Sequence, residues 1–458
     1  GIGSLIGVLL GVFFGAPSML GLYEKMIGLP ISSEVDNSLI FQVVLISMII
    51  VLLAGLRPAW QASRLQPLAV FRGQHEVKLS SRRLQRFTAS LPTTVGLSIR
   101  SSLRKPMRVG FTFFAVGISM LLFGSMLFML ESMEGSFIGG IKDRQSWEVQ
   151  ASNSPGGEDA IIEWVEENGG QYELLINFPI GLEDDNRELT AYGLDNISTV
   201  SDGESMIMVD LMKGDIPVRG GAMIQVLIDE GTSVFLEWET GDVVSIYIGN
   251  MQYDVEISGI TEGEMSRTMY IYREDLSQMV GIESTSVLIQ LSDDDKSLDG
   301  LAELSVGYTK KADAINTFET LLEQQKQFFY AIEFLGVIIA IAVLFNTLLM
   351  NIAERDTELA TLRVLGAPMN KLGKMMFWEH LGIGLIGGIL GAIFAYFGTV
   401  LLASSIVQWA FYFTISPAPS AIITIVGVII GISVALTPFG MWRIKKMNLV
   451  DKVKDLSN

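Results

Sequence analysis

The 458-residue chain has no cysteine and only two histidines. The first absence excludes a disulfide scaffold, cysteine-ligated zinc and thiol catalysis, while leaving the redox compartment open. The second leaves little room for histidine-based metal or acid–base sites. Basic residues are also scarce. Against 50 Asp and Glu stand 32 Lys and Arg, a formal net charge of −18, which rules out general nucleic-acid binding. Charged residues make up only 18% of the chain and hydrophobic ones 49%, whereas soluble domains run nearer to about 25% charged. A chain this apolar and this acidic must be divided into parts. Gly1 lies inside an apolar run with no initiator Met and no basic leader, so the sequence reads as an N-terminally truncated product and not as a signal peptide.

Long apolar runs are missing between Leu130 and Phe328. Elsewhere six segments reach the roughly 20 residues that a helix needs to cross a hydrocarbon core of about 30 Å. They are 1–20, 38–56, 109–130, 328–352, 380–403 and 421–442. The expected fold class is a polytopic α-helical membrane protein, with six transmembrane helices in this chain and a mixed α/β extracytoplasmic domain. Charge follows the same division. Residues 131–326 hold 39 acids and 11 bases, a balance of −28, and the remainder holds 11 acids and 21 bases, a balance of +10. The connection 57–108 carries 11 Lys and Arg and one acid, Glu76. Arg355, Arg363, Lys371 and Lys374 follow the fourth apolar segment, and Arg443, Lys445, Lys446, Lys452 and Lys454 follow the sixth. By the positive-inside rule these three basic stretches lie in the cytoplasm. The C-terminus is then cytoplasmic and 131–326 extracytoplasmic.

The chain also repeats itself. Residues 5–14 match 385–394 at six of ten positions, and the same offset of 380 pairs Pro58 with Pro438. After a two-residue insertion, 64–68 meets 446–450. Both copies run in the same direction, so the repeat is a parallel one. By this arithmetic about 285 residues precede Gly1, and the complete chain holds about eight to ten helices. Gly3, Gly7, Gly11 and Gly15 stand at spacing four in the first copy, and Gly384, Gly387, Gly388 and Gly391 in the second. Small residues in register let membrane helices approach closely, so these glycines read as helix-packing faces and not as a substrate site.

Within 131–326, Met251, Tyr253, Val255 and Ile257 alternate with polar residues after a Gly249-Asn250 turn, which predicts a hairpin over 243–257. Strands are expected at 269–272 and 287–291, and short helices at 158–168 and 274–280. Residues 312–326 place Ile315, Phe318 and Leu322 on one face and run straight into the fourth apolar segment, as a stalk would. Asp293, Asp294, Asp295 and Asp299 lack the spacing of a calcium loop and read as a solvated turn, as do Glu183, Asp184 and Asp185. Glu333, the one acid well inside an apolar segment, reads as interfacial. No catalytic, cofactor-binding or metal-ligating constellation is found, and no Gly-x-x-x-x-Gly-Lys-Ser/Thr loop is present.

The most specific stretch is Glu354-Arg355-x-x-Glu358-Leu359-x-x-Leu362-Arg363-x-Leu365-Gly366-Ala367. It predicts a short amphipathic helix stopped by Gly366. This motif, Glu379 after it, the Gly-rich helix beyond and the closing Pro and basic run resemble the FtsX-like (MacB-like) permeases of ABC transporters. The resemblance covers 1–72 and about 94–454. It implies a permease in the cell membrane of a prokaryote, working with a separate cytoplasmic ABC ATPase that is a dimer and carries the ATP and Mg. It also implies that Glu354, Arg355, Glu358, Leu359, Leu362, Arg363, Gly366 and Ala367 form the element that couples to that ATPase. Residues 1–72 would be the end of a first module with two transmembrane helices, and 73–108 a basic linker. After the helix 109–130 and the outer domain 131–326, residues 327–458 would be a second module of three helices. Such permeases pass ATP-driven motion to an outer domain to export or extract a lipid, lipoprotein, peptide or hydrophobic drug. The alternative is a non-transporting signalling permease that regulates an extracellular enzyme or senses a ligand. The lipid bilayer and an unidentified extracytoplasmic cargo or partner complete the expected contacts.

Overall fold

The computed structural model describes residues 7–9, 11–15, 17, 37–63, 96, 106–182, 185–221, 223–263, 266–291, 298–407 and 412–446. Helix α1 (Asn37–Ser63) leaves Phe41, Ile46 and Leu53 exposed. Helices α2 (Pro106–Ser119) and α3 (Leu121–Glu134) follow, then one π-helical turn (Gly135–Gly139) and α4 (Gly140–Arg144).

The α/β domain comes next. It comprises β1 (Val149–Ser152), α5 (Glu158–Glu167), β2 (Gln171–Leu182), β3 (Asp185–Leu194), β4 (Ser198–Thr199), β5 (Met208–Val209) and β6 (Leu211–Gly214). It continues with β7 (Ile224–Asp229), α6 (Glu230–Leu236), β8 (Val243–Ile248), β9 (Met251–Thr261), β10 (Thr268–Tyr272) and α7 (Arg273–Val280). The last elements are β11 (Ser286–Gln290), α8 (Asp299–Leu304) and β12 (Gly307–Lys310). The main sheet runs β12-β1-β11-β2-β3-β10-β7-β9-β6, and β8 pairs with both β2 and β9. That double pairing closes β2, β3, β10, β7, β9 and β8 into a six-stranded ring. Its inner residues, among them Ile176, Ile180, Val226, Ile228, Val255 and Ile257, are fully buried. The hairpin β8–β9 turns at Gly249, whose φ of +60° suits a residue without a Cβ. The acidic turns read from the sequence fall largely outside the described residues, at 183–184 and 292–297.

From β12 the chain passes without a break into α9 (Lys311–Glu354), a helix of 44 residues. At 1.5 Å per residue this is about 66 Å, twice the thickness of a hydrocarbon core. The expected stalk and the fourth apolar segment are therefore one rod. After α9 come α10 (Asp356–Val364), α11 (Met369–Ile406, 38 residues), α12 (Pro419–Ala435) and α13 (Thr437–Lys445).

Among the described residues four helices, not six, are long and apolar enough to cross a membrane: Leu121–Arg144, Lys311–Ala353, Met369–Ser405 and Pro419–Lys445. The first expected segment lies mostly outside the described residues. The second forms α1, whose apolar part is the shorter stretch Ile40–Leu56. The third is split at Met120, where the Met120 N–H donates to Gly117 C=O (3.1 Å) three residues back and tightens the turn. The apolar helix there begins at Leu121 and runs on past Leu130 to Arg144. Gly117 and Gly124 lie so close to Phe394 and Ala395 that a Cβ on either would come within 2.9 Å and 2.5 Å of those side chains. Val116, Met120, Phe123, Ala340, Leu344, Ala395, Ile425 and Ile429 form the bundle core.

Candidate functional site

The motif found in the sequence builds the far end of the bundle from the α/β domain. Helix α9 ends at Arg355, and α10 begins directly after it. Arg355 Nη1 donates to Glu379 Oε2 on α11 at 2.6 Å, and its Nε lies 3.8 Å from Glu358 Oε2. The Arg355 and Glu379 side chains are only 16% and 10% exposed, so this charge-assisted bond is largely shielded from water. Arg363 Nη1 donates to the Ile444 carbonyl at 2.8 Å, placing a cation at the C-terminal end of α13 where the helix dipole favours it. Leu359 is buried and Leu362 partly buried in a cluster with Leu348, Ile352, Leu372, Met375, Met376 and Ile444.

The stop is built as the sequence predicts. Gly366 has φ +86°, its N–H donates to Arg363 C=O (3.0 Å), and the Ala367 N–H reaches back to Leu362 C=O (2.9 Å). This pair of bonds is a Schellman closure, which needs a left-handed residue at the Gly366 position. Pro368 then opens α11, so α10 bridges the ends of the two longest helices.

The motif residues divide by face. Arg355, Leu359, Leu362 and Arg363 serve the chain's own packing, while Glu358 is half-exposed and Val364 and Leu365 are 57% and 78% exposed. Glu354 is the last residue of α9. Val364 and Leu365 were not singled out from the sequence. Their signal was present: on a helical projection Val364 falls opposite Leu359 and Leu362, an apolar residue on the face that should be polar, and Leu365 is an apolar residue at the helix's C-cap, directly before the Gly366 stop.

The glycines of α11 form two contact lines. A Cβ on Gly384 or Gly388 would lie 3.0 Å from Ile430 Cα or Val426 Cα on α12. A Cβ on Gly387 or Gly391 would lie 2.5 Å from Val116 or 3.1 Å from Met120. In the first copy, Gly7 and Gly11 have nothing within 4 Å of a Cβ position. Gly15 ends a π-turn, and Gly3 lies outside the described residues. Among the described residues no group of three or more His, Asp or Glu could hold a metal ion.

Residues 330–449, which contain α10 and its packing partners, match the family described as FtsX-like permease C-terminal. The chain is similar to the ABC transporter permease YtrF of Bacillus subtilis (strain 168), with 25% identity over 173 residues, or 34% of this chain and 39% of that protein. It thus spans about two fifths of that curated relative's length. Among solved structures it is similar to the extracellular domain of the noncanonic ABC-type transporter YknZ from Gram-positive bacteria. That match has 15% identity and a TM-score of 0.25, and covers 38% of this chain and 94% of the other.

Proposed function

Since the chain belongs to the FtsX-like permease family of ABC transporter permeases, we propose that it is the membrane subunit on which a separate ATPase acts. In this reading α10 is the seat of that ATPase, and motion delivered there travels along α9 to the α/β domain. The observation that carries the reading is the division of α10. One face is locked into the bundle by Arg355, Leu359 and Arg363, while Val364 on the opposite face and Leu365 at the helix's C-terminal end are left open to solvent. A helix held this firmly transmits displacement, and its exposed apolar residues suit a partner's groove. ATP and Mg belong to that partner.

The charge division supports the orientation. The domain of balance −28 lies on the extracytoplasmic side and the basic stretches around α10 and after α13 lie on the cytoplasmic side. The work done outside is export or extraction of a lipid, lipoprotein, peptide or hydrophobic drug.

The test is Leu365→Asp in the full-length permease. A charge at a residue 78% exposed leaves the fold intact, and co-purification of the ATPase is expected to fall by about 30-fold or more, the size of an interface hot spot. Leu362→Asp is less informative, because Leu362 is packed against the bundle and its loss would confound binding with folding. Unchanged co-purification of Leu365→Asp overturns the assignment of the coupling face.

A further inference from the structure

Helix α9 enters the domain through β12. A second long helix, α11, ends in the cluster at the top of the stalk, where Leu402 and Ala403 pack with Phe137 and Leu322. Beyond α11 the chain returns to the domain as an extended segment, 412–416, whose side chains alternate between two bodies. The Tyr412 ring lies beneath the Arg267 guanidinium, 5.0 Å from it, and 6.4 Å from the Phe235 ring. Thr414 Oγ1 donates to Glu230 Oε2 at 2.7 Å and accepts from the Gly263 N–H at 3.0 Å. The intervening residues face the other way. Phe413, 1% exposed, sits in the stalk cluster 6.4 Å from Phe137, and Ile415 packs against the same cluster. The Ser416 N–H donates to Ser132 Oγ on α3 at 3.2 Å.

The domain side of this contact is rigid. Asp229, with no exposure, ends β7 and caps α6. It accepts from the N–H groups of Gly231 (3.0 Å), Thr232 (3.3 Å) and Thr268 (2.9 Å) and pairs with Arg267 Nη1 at 2.8 Å. Glu230, Arg267 and Gly263 are therefore fixed to the strands of the closed ring. Burial, followed by the Glu230 carboxylate, pushes the Tyr412 hydroxyl well above its ordinary pKa, so it stays a neutral donor to Glu230. The fit is close, since a Cβ on Gly263 would come within 2.6 Å of the Tyr412 ring and 2.7 Å of Thr414 Oγ1.

We infer that 412–416 is a strap that makes the domain follow α11 as well as α9, with Thr414, Glu230 and Arg267 as positioning residues for the transmitted movement. This rests on the proposed function, because α10 joins the far ends of both helices. Held at two separate points, the domain keeps its orientation to the α11–α12 end of the bundle as it moves, where one attachment alone would leave it free to pivot.

Since these 458 residues hold no cysteine, spin labels can be placed within them site-specifically in the full-length permease with its ATPase in nanodiscs, once any cysteine elsewhere in the complex is replaced. One pair, Met251→Cys on the domain and Ile423→Cys on α12, spans the strap, and both positions are exposed. A second pair, Met251→Cys with Leu53→Cys on α1, reports whether nucleotide moves the domain at all. The first pair is expected to give a narrow distance distribution that nucleotide leaves unchanged. In Thr414→Val that distribution should broaden at least about twofold and acquire a nucleotide-driven shift, as a second populated arrangement requires. Thr414→Ser should restore the parent behaviour, and Gly263→Ala, a wedge from the domain side, should reproduce the loss. A nucleotide-driven shift in the second pair, with the first pair unaltered in both Thr414→Val and Gly263→Ala, overturns the strap alone. No shift in the second pair overturns the proposed function and the strap with it.

Discussion

The two ends of the helical bundle solve opposite problems with different chemistry. At the α10 end, apolar packing and two arginine contacts hold the helix, and apolar residues are left facing water. At the domain end, the buried Asp229–Arg267 pair and the partly buried Glu230 and Thr414 form a polar joint in which each carboxylate has donors around it. In the proposed function the α10 surface meets a separate chain reversibly, and exposed apolar area suits such a contact. A joint within one chain can be permanent, and buried hydrogen bonds to charged groups give it direction as well as strength.

Substitutions at each end should separate the two. The largest effect is expected from Asp229→Asn, which removes the buried carboxylate 2.8 Å from the Arg267 guanidinium and costs about 3–5 kcal/mol. Thermal unfolding followed by tryptophan emission of the domain measures it, and a change confined to the membrane helices would contradict it. Arg355→Met removes the 2.6 Å charge-assisted bond to Glu379 and should cost about 2–3 kcal/mol at the other end. Its readout is looser proteolytic protection of α10 with the domain's melting unchanged. Gly366→Ala meets no neighbour, since nothing lies within 4 Å of its Cβ position. Only the left-handed backbone resists it, at about 1–2 kcal/mol, visible as faster amide exchange at Ala367.

The smallest effect concerns Glu173, which accepts from the Met206 N–H at 2.9 Å. Burial, and then the nearby Asp195 charge, raise its pKa above the ordinary Glu value against that hydrogen bond. The folded domain thus holds this proton more tightly than the unfolded chain. Stability from this group is full below the ordinary Glu pKa and falls as pH rises through the raised one. Glu173→Gln should remove that slope and lift the Tm near neutral pH by about 2 °C.

Much of the architecture was legible in the sequence because it rests on local pattern. The alternation at 251–257 and the Gly249 turn mark β8–β9, and the continuity of Phe318 and Leu322 with the fourth apolar run marks α9. The stop at Gly366 follows from a backbone angle that one residue type adopts easily. The break at Met120 was hidden, since nothing in its apolar neighbourhood signals a tightened turn. The ring closure depends on β8 pairing with β2, a contact more than sixty positions away in the chain. The joint at Asp229 unites residues from 229 to 414 through tertiary packing, and each of them alone looks like an ordinary surface acid, base or aromatic.

The closed ring changes how the domain would respond to load. A hoop of paired strands cannot shed one member without opening altogether, so a force reaching Glu230 or Gly263 meets a single stiff body. β12 stands outside that hoop, separated from β2 by β1 and β11, and all four of its residues are exposed. Tension arriving through α9 therefore pulls on a short strand that can peel one rung at a time. Under strain β12 acts as a compliant spring in series with the hoop, and it would yield well before the domain does.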